Sequence, residues 1–146
     1  LTNVETQRYS TFRIHDLLFG IEVMKVQEVI RYQQMTVVPL SSSLVEGLIN
    51  LRGQIVIAID MRRSLGLPSV TDETLPINIV IQSEDSVVSL LVDEVGDVID
   101  VPLEDYAAVP ENMPEQQKSL IECVYHLKDG LMLVLDTARV LENACN

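Results

Sequence analysis

Glu28 is the one charged residue in the apolar run Val26 to Ile30, and Asn50-Leu51-Arg52-Gly53 interrupts a second apolar stretch with a single cation. Opposite charges on different strands can form an ion pair that holds two elements in register, at a stability value set by burial. The plainer reading makes Arg52 a hairpin-turn residue and Glu28 a solvated one, and spacing does not choose between them. Other reactive residue types lack the spacing that their chemistry needs. His15 and His126 have neither an H-E-x-x-H neighbour nor a cysteine pair, so zinc is not expected. The 6 glycines form no phosphate cradle, and no serine sits in a G-x-S-x-G elbow. Asp93, Glu94, Asp97 and Asp100 are dense enough to suggest a cation site, but they do not follow the calcium-loop pattern and read as a solvated face. So acidic a chain could hold a catalytic carboxylate pair anywhere, yet nothing selects one. The expectation is no enzyme, no cofactor and no metal. Cys123 and Cys145 stand 22 positions apart and read as reduced thiols in a reducing compartment.

The elements that must position these residues are mainly strands. Of 146 residues, 20 are Val, 19 Leu and 12 Ile, against 4 Tyr, 2 Phe and no Trp, a core of branched aliphatics that suits a pleated sheet. The formal charge of −12 opposes binding to phosphate backbones and anionic membrane surfaces. Apolar runs such as Ile55 to Ile59 fall far short of the ~18 residues that suggest a membrane span, so no direct membrane insertion is expected. The start, Leu1 to Glu5, has no signal-peptide pattern, and the chain is read as cytoplasmic.

Period-2 alternation predicts a hairpin through Phe12 and Ile14, a His15-Asp16 turn, and Leu17 to Val23. Met24 to Ile30 fits helix or strand, and Thr36 to Leu40 a short extended piece. Gly47 to Asp60 reads as a hairpin turning at Arg52-Gly53, with Ile55, Ile57 and Ile59 on one face; Asp60 then caps a helix from Met61 to Leu65. Pro68 to Pro76 is a linker. Strands follow at Ile77 to Gln82, Val87 to Val92 and Val95 to Val101, then an irregular stretch from Pro102 to Ser119. A hairpin about Asp129-Gly130 and a helix from Asp136 to about Leu141 close the chain.

Offsets expose an internal repeat. At a shift of 76, Ile55, Ile57, Ile59, Asp60, Arg63 and Leu65 meet Leu131, Leu133, Leu135, Asp136, Arg139 and Leu141; at 69, Val26, Glu28 and Val29 meet Val95, Asp97 and Val98. Each half of about 70 residues is too small to bury much alone. The expected architecture is mainly β: two tandem five-stranded β-barrels with short helices, closure removing strand edges. The divisions are a tail at 1–8, a first barrel at 9–67, a linker at 68–76 and a second barrel with C-terminal helix at 77–146.

At V-E-G-L-I-N-L-R-G-Q-I-V-I-A-I-D, Val45 to Asp60, the chain resembles the CheW family of bacterial chemotaxis coupling proteins, with support from K-V-Q-E-V-I at Lys25 to Ile30 and L-L-V-D-E-V-G-D-V-I at Leu90 to Ile99. The likeness runs from about Tyr9 to Leu141. It implies two five-stranded barrels on a shared core, and a non-enzymatic cytoplasmic scaffold joining the tips of transmembrane chemoreceptors to the regulatory domain of the histidine kinase CheA. It also implies that Glu28 and Arg52 form the family's salt bridge, that Val26, Glu28, Gly47, Asn50, Arg52 and Ile55 belong to the kinase and receptor interaction region, and that Leu90, Val92, Val95 and Val98 are candidates for a receptor groove. The short N-terminus and the acidic stretch Glu111 to Glu115 depart from better-known members and leave partner preference open. The alternatives are a CheW-like domain of a larger protein, either a CheW-receiver fusion or a kinase regulatory domain, and, from another class, a small-ligand-binding β-barrel. An oligonucleotide-binding barrel would need stacking aromatics and a basic groove, which the composition opposes.

Overall fold

The structure is a computed structural model and describes residues 5–39 and 42–145. The strands are β1 (Thr6–Ile14), β2 (Leu17–Glu22), β3 (Val26–Ile30), β4 (Val45–Leu51), β5 (Gln54–Asp60), β6 (Ile77–Ser83), β7 (Ser86–Val92), β8 (Glu94–Pro102), β9 (Tyr106–Ala107), β10 (Ile121–Leu127) and β11 (Gly130–Leu135). The described residues also form three α-helices, α1 (Met61–Ser64) and α2 (Glu115–Lys118) between strands and α3 (Thr137–Cys145) after the last one. The ambiguous segment after β2 resolves into a single 3-10 turn, Val23–Lys25, and then strand. The extended piece expected at Thr36 to Leu40 makes one bridge, Thr36 to Leu48; Leu40 lies outside the described residues, as do 1–4 of the expected tail, whose Thr6 to Arg8 open β1.

The strands form a six-stranded sheet ordered β8-β1-β2-β11-β10-β9 and a five-stranded sheet ordered β3-β6-β7-β5-β4. The mainly-β class with two β units and short helices holds, but neither sheet closes its hydrogen bonds into a barrel. Nor do the sheets follow a division of the chain at 68–76. The hairpin β1–β2 of the first half lies in the sheet of β8, β10 and β11, and the hairpin β6–β7 of the second half lies with β3, β4 and β5. Parallel pairings stitch each exchanged hairpin in place, Ile57 to Val88 through Asp60 to Leu91 in one sheet and Met132 to Leu18 through Val134 to Gly20 in the other. Exchange makes the halves interdependent, as expected of units too small to stand alone.

The middle strands bury side chains on both faces, which is why β5, β6, β7 and β11 read as near-continuous aliphatic runs. Between the sheets lies a shared core that includes Phe12, Ile14, Phe19, Ile21, Leu133 and Leu135 of one sheet and Ile59, Ile79, Ile81, Val88, Leu90 and Val92 of the other. The opposite face of the six-stranded sheet buries Tyr9, Val101, Tyr125, Met132 and Val134. The repeat is visible in detail at the two caps: the Asp60 carboxylate accepts the Arg63 N–H at 3.2 Å, and the Asp136 carboxylate accepts the Arg139 N–H at 3.1 Å. Gly96 has a local reason as well. It faces a bulge in β1, where a Cβ would stand 2.6 Å from the Thr11 hydroxyl, and that hydroxyl donates to the Asp97 carbonyl at 2.5 Å.

Candidate functional site

Arg52 and Gly53 form a two-residue hairpin tip between Leu51 and Gln54, both with positive φ (52° and 88°), the geometry of a type I′ turn. Asn50 secures it, its side-chain oxygen accepting the Gly53 N–H at 2.9 Å. The turn throws the Arg52 guanidinium toward β3, where Nη2 donates to Glu28 Oε2 at 2.5 Å. β3 and β4 are the two outer strands of the five-stranded sheet, so this pair bridges opposite edges that share no backbone ladder. The sheet therefore curls far enough for a side-chain clasp to span its mouth. The Arg52 side chain is 79% exposed and that of Glu28 26%, an arrangement in which an ion pair contributes only about 0–1 kcal/mol. Its physical effect is to hold an orientation and to display a guanidinium.

The other expected site residues divide by exposure. Val26 is half-buried against the shared core, whereas Ile55 is 60% exposed beside the tip. Gly47 is buried: a Cβ there would meet the Thr36 carbonyl oxygen at 2.8 Å, so it can serve a surface only by letting the backbone of Met35 and Thr36 approach β4. Leu90 and Val92 correct the reading that placed them on a receptor groove. Both are fully buried on β7, the middle strand of its sheet, and offer no surface. Val95 and Val98, on the outer strand β8, are 37% and 54% exposed. By the repeat they match Val26 and Val29 of β3, of which Val29 is also exposed, so each sheet carries an apolar pair on one outer strand.

The clasp itself is not repeated. Asp97 and Lys128 occupy the positions of Glu28 and Arg52 in the second half, yet form no ion pair with each other among the described residues. The corresponding mouth of the six-stranded sheet opens instead into a cavity of about 600 Å³, lined by Leu18, Ile99, Met113, Leu127 and Lys128 among others.

One polar junction was not legible in the sequence. Arg62 on α1 grips Asp93 through Nε at 3.0 and 3.2 Å and Nη2 at 2.6 Å, while its Nη1 donates to the Pro68 carbonyl at 2.6 Å. The same carboxylate accepts the His15 N–H at 2.6 Å. Asp93 thus belongs to a junction, not to a solvated acidic face. Burial pushes its carboxyl up, but the Arg62 fork and the His15 N–H outweigh this and hold it below the ordinary range. A carboxyl depressed in the folded state adds stability above its unfolded value of about 3.9, and that stability is lost as pH falls through the lower folded value. In urea unfolding, the advantage of the native chain over Asp93→Asn is therefore expected to be full near pH 7 and to shrink below about pH 4; a constant difference would contradict it. Among the described residues, no group of three or more His, Cys, Asp or Glu is placed to hold a metal ion.

Comparison with known proteins agrees with this architecture. The family profile described as CheW-like domain matches residues 8–145. The chemotaxis protein CheW of Bacillus subtilis is 31% identical over 138 residues, covering 93% of this chain and 87% of that protein. That of Treponema pallidum is 28% identical over 145 residues, covering 97% and 85%. In structure, the scaffolding protein TtCheW from Thermoanaerobacter tengcongensis superposes with a TM-score of 0.81 over 90% of each chain at 22% identity, a likeness of fold. The Glu28–Arg52 clasp thus sits in a fold and a sequence that agree over nearly their whole length, and the chain belongs to the CheW-like family, whose relatives in Bacillus subtilis and Treponema pallidum are chemotaxis proteins.

Proposed function

We propose that this chain is a cytoplasmic adaptor that couples the tips of transmembrane chemoreceptors to the regulatory domain of the histidine kinase CheA, reaching the membrane only through those partners. The observation that carries the reading is the display on the two sheets of an exposed guanidinium and Ile55 at the clasp, and of Val29 on β3 and Val95 and Val98 on β8. A standard interface buries roughly 800 Å² per partner, and aliphatic side chains half open to solvent on outer strands suit one. A receptor helix would lay an apolar stripe along such a surface. The charge of −12 disfavours self-association and steers basic patches of a partner toward it. No helix among the described residues is long and apolar enough to cross a membrane, in keeping with attachment through partners.

The test is titration calorimetry against the regulatory domain of a CheA from the same source, with a receptor-tip fragment added in a second series. Saturable binding to the kinase domain supports the reading, and silence with every kinase domain of the source removes it. Within that assay Arg52→Glu is expected to weaken binding by at least about tenfold, or roughly 1.4 kcal/mol. The melting temperature should barely move, because the clasp is exposed. Adding Glu28→Arg restores the pair with its charges exchanged. Recovered binding would assign the effect of Arg52 to the clasp; no recovery in a folded double variant assigns it to direct contact, which is the result the exposure of the guanidinium predicts.

A further inference from the structure

Among the described residues, the chain crosses between the sheets at two places related by the repeat. From β2 to β3 it crosses through the 3-10 turn Val23–Lys25, with the Met24 side chain almost wholly exposed. From β7 to β8 it crosses in a single residue, Asp93. The second crossing is held from every side. Arg62 reaches it from α1 at the end of the five-stranded sheet, the His15 N–H from the β1–β2 turn of the six-stranded sheet, and the Asp93 N–H itself donates to the Arg13 carbonyl at 3.0 Å. The guanidinium also ties down Pro68, where the connection to β6 begins. The pair is mostly shielded from solvent, with side-chain exposures of 18% and 20%, against 79% for Arg52 in the clasp.

We propose that Arg62 and Asp93 are a positioning pair that fixes the angle between the two sheets. The aliphatic slab between the sheets holds them together, but apolar burial is non-directional and sets no unique orientation. A forked guanidinium on a carboxylate is directional, and it acts here at the crossover itself. The angle matters because the exposed valines of β3 and β8 lie on different sheets, so a partner reading both sees a spacing set by this junction. That consequence rests on the coupling role proposed above; the angle does not, and it is measured on the chain alone.

Residual dipolar couplings of strand amides decide it, fitted separately for the two sheets in the native chain, in Arg62→Gln and in Asp93→Asn. One alignment tensor is expected to describe both sheets of the native chain. In each variant the two tensors should diverge in orientation or magnitude, while amide-exchange protection within each sheet persists. If a single tensor still fits both sheets in the variants, the proposal is overturned. Should Arg62→Gln not fold, Arg62→Lys keeps the charge but loses the fork; divergence there supports the proposal, and an unchanged single tensor overturns it.

Discussion

Replacing Leu90 with Ala is expected to lower the unfolding free energy by about 3–5 kcal/mol, whereas Val98→Ala should stay within about 0.5 kcal/mol. Both residues were expected on one groove, and the structure puts them in opposite environments. Leu90 pairs with Ile79 on one side and Ile59 on the other, in the middle strand of its sheet, fully buried in the shared core. Removing its isobutyl group loses the transfer energy of the atoms and leaves a cavity as well. The flanking backbones are fixed by hydrogen-bonded ladders and the opposite sheet by its own, so little can collapse into the space. Val98 stands on an outer strand with more than half its surface in water, and there is little burial to lose. Urea unfolding with an unchanged slope measures both. A Leu90→Ala loss under about 1 kcal/mol would mean that Leu90 is not packed in the shared core as the structure has it.

The same contrast explains what the sequence could reveal. Most strand positions, the Arg52-Gly53 turn and the two aspartate caps are local chemistry and appear where they were expected; the last hairpin turns one residue earlier than expected, at Lys128-Asp129 with Gly130 already in β11, and the stretch from Pro102 to Ser119, expected to be irregular, holds β9 and α2. Alternation gives the period of a strand, but where a strand carries apolar residues on both faces it cannot say which residue is covered, so Leu90 and Val95 looked alike. The repeat announced two similar units and was silent on which half supplies which hairpin, because exchanged and unexchanged pairings bury the same side chains. At the site, opposite charges in apolar runs left the Glu28–Arg52 pairing open, and the family resemblance implied it. The Arg62–Asp93 junction escaped for a physical reason: Arg62 stands beside Arg63 in a helix start and Asp93 in a run of acids, so neither is conspicuous until the crossover brings them together.

Gly47→Val is expected to cost about 3 kcal/mol and to weaken partner binding, although Gly47 touches no surface. The pairing of β4 with β5 shifts register between Val45 and Gly47, and opposite this bulge the chain doubles back. Thr36 and Leu48 exchange both backbone hydrogen bonds, at 2.9 and 2.8 Å. A Cβ on Gly47 would stand 2.8 Å from the Thr36 carbonyl oxygen and 3.0 Å from the Met35 Cβ. A flexible side chain could swing away at small cost, but here the nearest obstacle is backbone, locked by the bridge it would have to break. Valine adds two further carbons in the same direction, so the segment at Met35 and Thr36 must lift from β4. The damage should be local at first: amide protection at Thr36 and Leu48 falls further than in β6 or β7. Gly47→Ala should follow the same course with a smaller loss. Because β4 leads directly into the Arg52 tip, a displaced β4 re-aims the clasp, which gives a buried glycine its influence on binding. Unchanged exchange at Leu48 together with a stability change below about 0.5 kcal/mol would show that the close approach is not needed.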